Sequence, residues 1–428
     1  MAKVVHDNLN AGGGSERLAV ATIQALNELG LMVDVETCTP LEIKNLNKFL
    51  GPLDLTIRQL KKLDILSLLR SKQAKIDSDD GDNYDLVINT HGDLLPYFYQ
   101  DYTNNPTGMN TFLTEHKTVN KKGTLMVTYC HYPLVPYLVE NGDYKRFLYK
   151  YIKISNDPRT SLDSFSHYSV IDKLLSNGCL LYDLMMRNTV VLTNSEFSKR
   201  AIKQLYNNDV QPIILSPPVD VKAFRNVALC TKEGQREDTI LVVSRFSPDK
   251  KVENAIRIAK VLSDRKTTDY KMIIIGSICN AHDDDYLLFL KNMIHHYDLH
   301  EYIKLEIGPS FDKLVHLMSK SKIYLHPLAG EPFGISVAEA MAAGLIPVVP
   351  CLGGNSEFVP QRYHYRTLEE AATLIEDALQ SRPVDNQFRT RLSNLTLRFS
   401  IENYKYGLKK IISTLITKPK QTPLLGSQ

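Results

Sequence analysis

The chain has 428 residues, with 51 lysines and arginines against 48 aspartates and glutamates. Its length exceeds what a single compact core usually holds and predicts two domains of roughly 200 residues each. A net charge of +3 gives no general case for nucleic-acid binding, and the six cysteines contain no CxxC pair. We therefore expect neither a disulfide framework nor a thiolate zinc site. This cysteine usage predicts a reducing compartment.

Short runs rich in β-branched residues alternate with helical patterns, such as the one over residues 16–29. Alternation of this kind predicts an α/β protein with parallel sheets that helices cover on both faces. The first series of predicted strands comprises residues 3–6, 84–89, 124–129, 190–193 and 212–215. The second series comprises residues 240–243, 272–276, 303–307, 323–326 and 346–349.

A proline-bearing stretch and a polar stretch, at residues 216–218 and 231–238, separate the two series, and we place a hinge there. The pattern predicts domains over residues 1–217 and 218–398. A helix over residues 399–416 is expected to follow, and residues 417–428, rich in Pro, Lys and Gly, indicate a disordered tail.

The sequence contains no run of about 18 or more apolar residues. Met1 leads almost directly into the first predicted strand. We therefore expect no signal peptide, no membrane span and a cytoplasmic location.

The segment over residues 326–357 is the most informative part of the chain, because it sets two glutamates eight positions apart around a helix of small residues. Glu331 is predicted to lie just before the helix N-terminus, and Glu339 about one turn inside it. Gly334 opens this helix, and Gly344 supplies its C-terminal stop.

The start of this helix has the features of a sugar-phosphate site. Backbone N–H groups near Phe333, Gly334 and Ile335, together with the positive end of the helix dipole, favour a phosphate. Ionised carboxylates only accept hydrogen bonds, and sugar hydroxyls donate them, so two nearby glutamates suit ribose or hexose. The competing interpretation is ordinary acidity at a helix start, which explains the first glutamate better than the second.

Three glycines, Gly12, Gly13 and Gly14, follow the first predicted strand and precede a helix. Without Cβ atoms they let the backbone approach a phosphate or a sugar closely, although a tight turn alone also uses glycine. The GxGxxG spacing of dinucleotide-binding loops is absent, so we do not expect NAD.

Arg245 and Lys250 follow the first strand of the second series. Cations held in such a loop stabilise the negative charge that a nucleoside diphosphate gains as it leaves a sugar. The alternative is surface charge, which fits Lys251 better.

The whole set of motifs resembles the retaining family 4 glycosyltransferases. The resemblance rests on residues 326–357, AGGGSER at 11–17, VSRFSPDK at 243–250 and TNSEFSKR at 193–200. It implies the GT-B architecture, in which two Rossmann-like domains face each other across a cleft and a C-terminal helix crosses back to the first domain. The first domain would bind the acceptor and the second the nucleotide sugar.

The resemblance also assigns roles to individual residues. It implies that Glu331 faces the donor sugar, that Glu339 holds the ribose, and that His131 faces the transferred sugar from the acceptor domain. Arg245 and Lys250 would neutralise the diphosphate without a metal, and no other cofactor is implied. The remaining donor-binding positions are Gly13, Gly14, Phe333, Gly334 and Ile335.

Three further motifs, NAGGGSER at 10–17, CHYP at 130–133 and SPPVD at 216–220, resemble the α-1,2-mannosyltransferases of the lipid-linked N-glycan precursor pathway. This implies GDP-mannose as donor and a polyprenyl-linked or other membrane-associated glycan as acceptor. The eukaryotic members carry an N-terminal membrane anchor, for which we expect no counterpart here. Two alternatives remain: a UDP-dependent glucosyl- or N-acetylglucosaminyltransferase acting on a soluble acceptor, and a non-catalytic nucleotide-sugar sensor.

Histidines and acidic runs have ordinary structural explanations beside the functional ones. His131 and His91 each follow a predicted strand, where open α/β sheets bind ligands, yet a lone histidine is usually structural. Asp283 and Asp285 form a DxD pattern that acidic N-capping of a helix explains more simply than a metal. Residues 77–85 lack the spacing of a calcium loop.

Two segments mix basic and apolar residues, at 55–75 and 144–153. Either could lie on an anionic membrane surface, and either could be a surface helix packed on the first domain. Peripheral contact with the cytoplasmic face of a membrane is therefore one expectation.

Overall fold

The computed structural model describes residues 1–6, 8–11, 13–37, 39–42, 55–62, 84–92, 124–133, 186–187, 189–266, 269–278, 281–380 and 386–417. Within these residues the chain forms two parallel sheets. The first contains β1 Ala2–His6, β2 Val33–Thr37, β3 Gln59–Lys62, β4 Leu86–Asn89, β5 Leu125–Cys130, β6 Val190–Thr193 and β7 Ile213–Ile214. The second contains β8 Glu237–Val243, β9 Lys271–Gly276, β10 Ile303–Ile307, β11 Ser321–Leu325, β12 Ile346–Pro350 and β13 His364–Tyr365.

Helices that connect or cover these strands are defined in both halves of the described chain. The first half contributes α1 Gly14–Glu28 and α2 Glu196–Leu205. They are followed by α3 Val221–Cys230, α4 Glu253–Arg265, α5 Ala281–His296, α6 Phe311–Lys320, α7 Ile335–Ala342, α8 Leu368–Gln380, α9 Asn386–Leu395 and α10 Ile401–Thr417.

The two sheets share one topology. The strand order is β3-β2-β1-β4-β5-β6-β7 in the first and β10-β9-β8-β11-β12-β13 in the second, and the paired strands are parallel. In each sheet the order reverses beside the first strand of the series, next to β1 and next to β8. Open α/β sheets bind ligands outside the carboxyl ends of the strands at this reversal. The loops after β1 and β8 therefore occupy equivalent positions.

The predicted alternation and parallel pairing are confirmed, and three strands were missed. The strand β2 carries polar residues between its valines, β3 is the polar segment QLKK, and β13 contains two residues. None of them shows the apolar β-rich run that identified the others.

Each sheet has its own apolar core. The core of the second domain forms from β8, β9, β11 and β12 with helices on both faces. The core of the first domain includes Tyr404, Leu408 and Ile412 of α10, which packs on α1. The Tyr404 hydroxyl also hydrogen-bonds the Thr22 hydroxyl over 2.7 Å. The last described helix is thus part of the first domain's core, although it follows the second domain in sequence.

The segment that we considered for membrane contact is only partly described. Residues 59–62 form the edge strand β3, so the interpretation of these residues as part of a surface helix was wrong. Residues 63–75, residues 144–153 and residues 77–83 lie outside the described part. Among the described residues, no helix is both long enough and apolar enough to cross a membrane.

Candidate donor site at the domain cleft

The loop after β8 carries the two candidate diphosphate cations. Lys250 ends a short 3-10 helix, Pro248–Lys250, and Arg245 precedes it. The guanidinium of Arg245 is half exposed and lies 3.6 Å from the carboxylate of Asp249. Burial raises the pKa of Asp249, but a hydrogen bond from Ser247 and the two cations outweigh it and lower that pKa. The loop thus presents two positive groups, of which Arg245 lies beside the carboxylate of Asp249.

Glu331 accepts a hydrogen bond from the other cation. The Nζ atom of Lys250 lies 3.2 Å from Oε2 of Glu331, and both side chains are largely buried. Nε2 of His326 lies 3.7 Å from the same oxygen. Burial raises the pKa of Glu331, yet the charge of Lys250 and the neighbouring His326 outweigh it, so this pKa is lowered. Glu331 is therefore an ionised acceptor at neutral pH.

His326 itself is neutral at neutral pH, because burial and the charge of Lys250 outweigh the opposing effect of Glu331 and lower its pKa to about 4. Only 5% of its side chain is exposed. Among the described residues neither ring nitrogen has a hydrogen-bond partner. Its backbone is anchored, because Tyr365 donates to its carbonyl over 2.7 Å.

The helix α7 begins as predicted. Gly334 precedes it at φ 92°, a left-handed conformation that favours glycine, and Gly344 at φ 79° follows its end. The Phe333 ring is buried against Phe358 and Phe399 with centroids 5.3 and 5.1 Å away, so only its backbone can serve a ligand. The first N–H groups of a helix lack carbonyl partners one turn earlier, which makes this start an anion site.

Glu339, one turn inside α7, is held from the opposite domain. Arg17 of α1 donates from Nη1 to Oε1 of Glu339 over 2.6 Å, and both side chains are largely buried. Gly14, at the start of α1, meets Ile335 at the start of α7, because a Cβ on Gly14 would lie 2.4 Å from Cδ1 of Ile335. Gly13 lies beside the carboxylate of Glu16, and Gly12 lies outside the described residues.

A second contact between the domains lies next to Pro332. The hydroxyl of Ser195 donates to the Pro332 carbonyl over 2.7 Å. The carboxylate of Glu357 accepts from the backbone N–H groups of Glu196 and Phe197, at 3.0 and 2.6 Å, and so caps α2 from the second domain. Negative charge at a helix N-terminus is stabilising. The loop before α7 and the segment after β12 therefore also hold the domains together.

The facing edge of the first domain carries a cluster of histidines around Thr90. The Thr90 hydroxyl donates to the Val5 carbonyl over 3.0 Å, so it must accept from Nδ1–H of His6, 3.0 Å away. Nε2 of His6 then lies 3.5 Å from Oε1 of Glu16. The His6 ring also contacts the His91 ring edge to face, with centroids 5.2 Å apart.

Burial and mutual repulsion keep the outer histidines neutral. Burial is the main reason that the pKa of His91 falls to about 3 and that of His131 to about 4, and His6 adds to both. Nε2 of His131 donates to the Thr90 carbonyl over 3.0 Å. The neutral ring then offers only Nδ1, an acceptor, to any sugar hydroxyl. That His131 faces the transferred sugar stays a prediction.

The acidic DxD pattern lies in the first turn of α5, which begins at Ala281. Asp283 is buried, whereas Asp285 is exposed, so the two carboxylates do not face a common ligand. Within the described residues, no group of three or more His, Cys, Asp or Glu side chains is placed to hold a metal ion.

With this geometry in place, comparison with known proteins identifies the second domain. Residues 231–394 match the family model described as glycosyl transferases group 1. This part of the chain is therefore similar to a glycosyltransferase group 1 domain. The loop of Arg245 and Lys250, Glu331 and the helix α7 all lie inside the matched range.

Two mannosyltransferases are similar to different lengths of this chain. The GDP-Man:Man(3)GlcNAc(2)-PP-Dol alpha-1,2-mannosyltransferase of Dictyostelium discoideum is 24% identical over 312 residues, which are 69% of this chain and 60% of that enzyme. The human enzyme of the same name is 30% identical over 169 residues, which are 39% of this chain and 34% of that enzyme. The chain thus matches between a third and three fifths of these relatives' length.

Solved structures establish the fold over nearly the whole chain. A glycosyltransferase from Rickettsia africae has a TM-score of 0.65 at 15% identity and covers 98% of this chain and 99% of its own. Anabaena HepE in complex with UDP and glucose has the same score and identity, with coverages of 97% and 100%. Residues 231–394 thus form one half of a GT-B fold, as expected.

Sequence reasoning singled out neither Arg17 nor Glu16, although both lie in the quoted motif AGGGSER. It also passed over His6, His326 and Glu357. Glu16 lies three residues after Gly13, the residue that precedes α1. A glutamate at this spacing is a capping signal that would have found Glu16. Nothing local marks Arg17, because its partner is 322 residues away.

Proposed function

We propose that this chain is a retaining glycosyltransferase that transfers a hexose, most simply mannose from GDP-mannose, to a glycan linked to a membrane lipid. The observation that carries the proposal is the arrangement at the start of α7. Glu331, bonded to Lys250, precedes the helix, Glu339 lies one turn inside it, and both lie at the cleft between two Rossmann-like domains.

The arrangement suits each part of a nucleotide sugar. Lys250 and Arg245 supply the charge that a diphosphate needs, and the start of α7 adds backbone donors. Glu339 accepts hydrogen bonds from ribose hydroxyls and Glu331 accepts them from the sugar. We infer that Lys250 keeps Glu331 ionised and oriented before the donor arrives and contacts the diphosphate afterwards.

The proposed reaction replaces one bond to the anomeric carbon by another on the same face. The bond from this carbon to the diphosphate oxygen breaks, with its electron pair leaving on the phosphate, and a bond to the acceptor oxygen forms. The acceptor's proton passes to the departing phosphate oxygen. The charge that develops on the phosphate is greatest in the transition state, so fixed cations there accelerate the reaction.

The donor and acceptor assignments rest on the names of the relatives. Those names specify GDP-Man as donor and a PP-Dol-linked glycan as acceptor. This chain matches 60% of the length of the Dictyostelium enzyme and 34% of the length of the human enzyme. His91 and His131 of the first domain are uncharged at neutral pH. They therefore suit hydroxyls better than phosphates.

A transfer assay with labelled donors would test the proposal. GDP-mannose, UDP-glucose and UDP-N-acetylglucosamine would each be offered with a polyprenyl-diphosphate-linked glycan and with a soluble glycan. Transfer of mannose to the lipid-linked glycan, with retained anomeric configuration, is the expected result. Transfer from a UDP donor to the soluble glycan would replace the proposal, and donor binding without any transfer would indicate a sensor.

Membrane contact is a separate part of the proposal. Lys61 lies on the edge strand β3 beside the exposed Leu60, at the border of the first domain. If this edge and residues 63–75 meet anionic lipid, sedimentation with vesicles should rise with anionic lipid content and fall with salt. Replacing Lys61, Lys62, Arg70 and Lys72 by glutamine should weaken binding, at about 1 kcal/mol per charge. Equal binding by the variant would remove this segment from the proposal.

A further inference from the structure

Arg17 crosses the cleft and ends on the carboxylate that the proposed donor needs. Its Nη1 atom donates to Oε1 of Glu339 over 2.6 Å, and the two side chains are only 16% and 8% exposed. Arg17 lies in the first turns of α1, which follows the glycine loop of the first domain. A charge-assisted hydrogen bond that is this short and this shielded from water is a strong contact between the domains.

The helices that carry this ion pair meet at their N-termini. The close approach of Gly14 to Ile335 brings the first residue of α1 against the first residue of α7. Each helix contributes N–H groups without helical partners and the positive end of its dipole. The junction therefore favours negative charge, and in the structure the nearest anion that Arg17 contacts is Glu339.

A bound ribose would compete with Arg17. Its hydroxyls would donate to the carboxylate of Glu339, which already accepts a hydrogen bond from Arg17. A guanidinium that loses its partner while shielded from water is costly to leave uncompensated. The diphosphate joined to that ribose brings negative oxygens to the same junction, and a guanidinium binds phosphate oxygens through two parallel hydrogen bonds.

We propose that Arg17 is a donor-binding residue supplied by the first domain, which holds Glu339 across the cleft and transfers to the diphosphate when a nucleoside diphosphate binds. This inference rests on the donor site proposed above. It requires that a nucleoside without phosphates binds poorly, because it displaces Arg17 and offers no new partner. It also links donor binding to domain closure, since the same side chain serves both.

Calorimetry on the full chain would compare GDP and UDP with guanosine and uridine. Arg17→Gln should weaken binding of the diphosphate that the wild type prefers by at least about 10-fold, the scale of a lost charge-assisted hydrogen bond. Binding of the matching nucleoside should be unchanged or tighter, because its competitor is gone. Arg17→Lys should recover part of the diphosphate affinity, since an ammonium keeps the charge without the planar fork.

Arg391→Gln is a matched control, because Arg391 is exposed and hydrogen-bonds a carbonyl of its own helix. Equal weakening of nucleoside and diphosphate in Arg17→Gln would show that Arg17 only holds the domains together, and unchanged diphosphate affinity would show that it does not reach the diphosphate. Either result overturns the inference. A wild-type chain that binds neither GDP nor UDP would instead overturn the proposed donor site itself.

Discussion

The carboxyl edges of the two sheets share the reversal of strand order and differ in electrostatic character. At the edge of the first sheet, His91 and His131 are neutral at neutral pH because burial lowers their pKa values. At the edge of the second sheet, Lys250 and Glu331 form a shielded ion pair. The half-exposed Arg245 lies in the same loop as Lys250.

The difference shows that one topology carries two different sets of side chains at the same position. Both edges place loops and helix starts at the reversal of strand order, and this position is set by the fold. The residue types on those loops decide what can bind. Neutral imidazoles form hydrogen bonds with hydroxyls. A cation that is paired with a carboxylate can bind a diphosphate instead. We assign the acceptor to the first edge and the donor to the second on this ground.

The comparison would break if charge on the second edge were dispensable. Lys250→Ala and Arg245→Ala should each lower kcat by roughly 100-fold or more, because each removes a fixed cation that stabilises the developing phosphate charge. Steady-state turnover of the donor would measure this. Lys251→Gln, which alters an exposed neighbour, should stay close to wild type. A well-folded Lys250→Ala variant with wild-type kcat would remove Lys250 from the mechanism.

The first edge contains one ionised group that can be tested separately. Burial raises the pKa of Glu16, but hydrogen bonding and charge from His6, with smaller help from Ser15, lower it from 4.5 to about 2. Glu16→Gln should therefore lower the free energy of unfolding at pH 7 by about 2 kcal/mol, as for other hydrogen bonds to charged groups. Urea unfolding would measure the difference.

The pH dependence gives the sign of this effect. A depressed folded-state pKa contributes stability that is fully present above about pH 4.5 and is lost as the pH falls toward 2. The gap between wild type and Glu16→Gln should shrink over that window. Glu369→Gln, at an exposed position in α8, is the control and should change little. A gap that is constant with pH would mean that the charge of Glu16 is not involved.

The junction between the two edges can be altered without touching a charge. Gly14→Ala would place a methyl 2.4 Å from Cδ1 of Ile335, so the end of the Ile335 side chain must shift at the junction between α1 and α7. Overpacking costs about 1–3 kcal/mol, so we expect kcat/KM to fall by about 10-fold. Ile335→Val lacks Cδ1, and the double variant should recover much of the loss. If adding Ile335→Val recovers nothing, the contact is not the cause.

The smallest effect is expected at the acidic start of α5. In the proposed donor site Lys250, Arg245 and a helix N-terminus bind the diphosphate, so we expect activity to survive EDTA. Replacing Asp283 and Asp285 together by asparagine should change kcat less than about twofold, because neither carboxylate lies in the proposed donor site. Loss of activity that Mn²⁺ or Mg²⁺ restores, in wild type but not in this variant, would assign a metal to these residues.

Local patterns were sufficient for most of the fold. The buried strands were found because apolar β-rich runs alternate with amphipathic helices, and β6 and β10 matched their predicted bounds. The helix α7 and the positions of Glu331 and Glu339 around it followed from glycine and small-residue spacing. The polar strands β2 and β3 could not be found this way, because their pairing partners, not their composition, make them strands.

The sequence by itself therefore determined the two parallel sheets, the helix α7 that follows Glu331 and contains Glu339, and the cations that follow the first strand of the second domain. Only the tertiary structure decided which groups face each other. Arg17 meets Glu339 and Ser195 meets Pro332 across 322 and 137 residues of chain, and no local pattern records such partners. It also decided the protonation of His131, since burial and the Thr90 carbonyl, not the residue type, set which ring nitrogen donates.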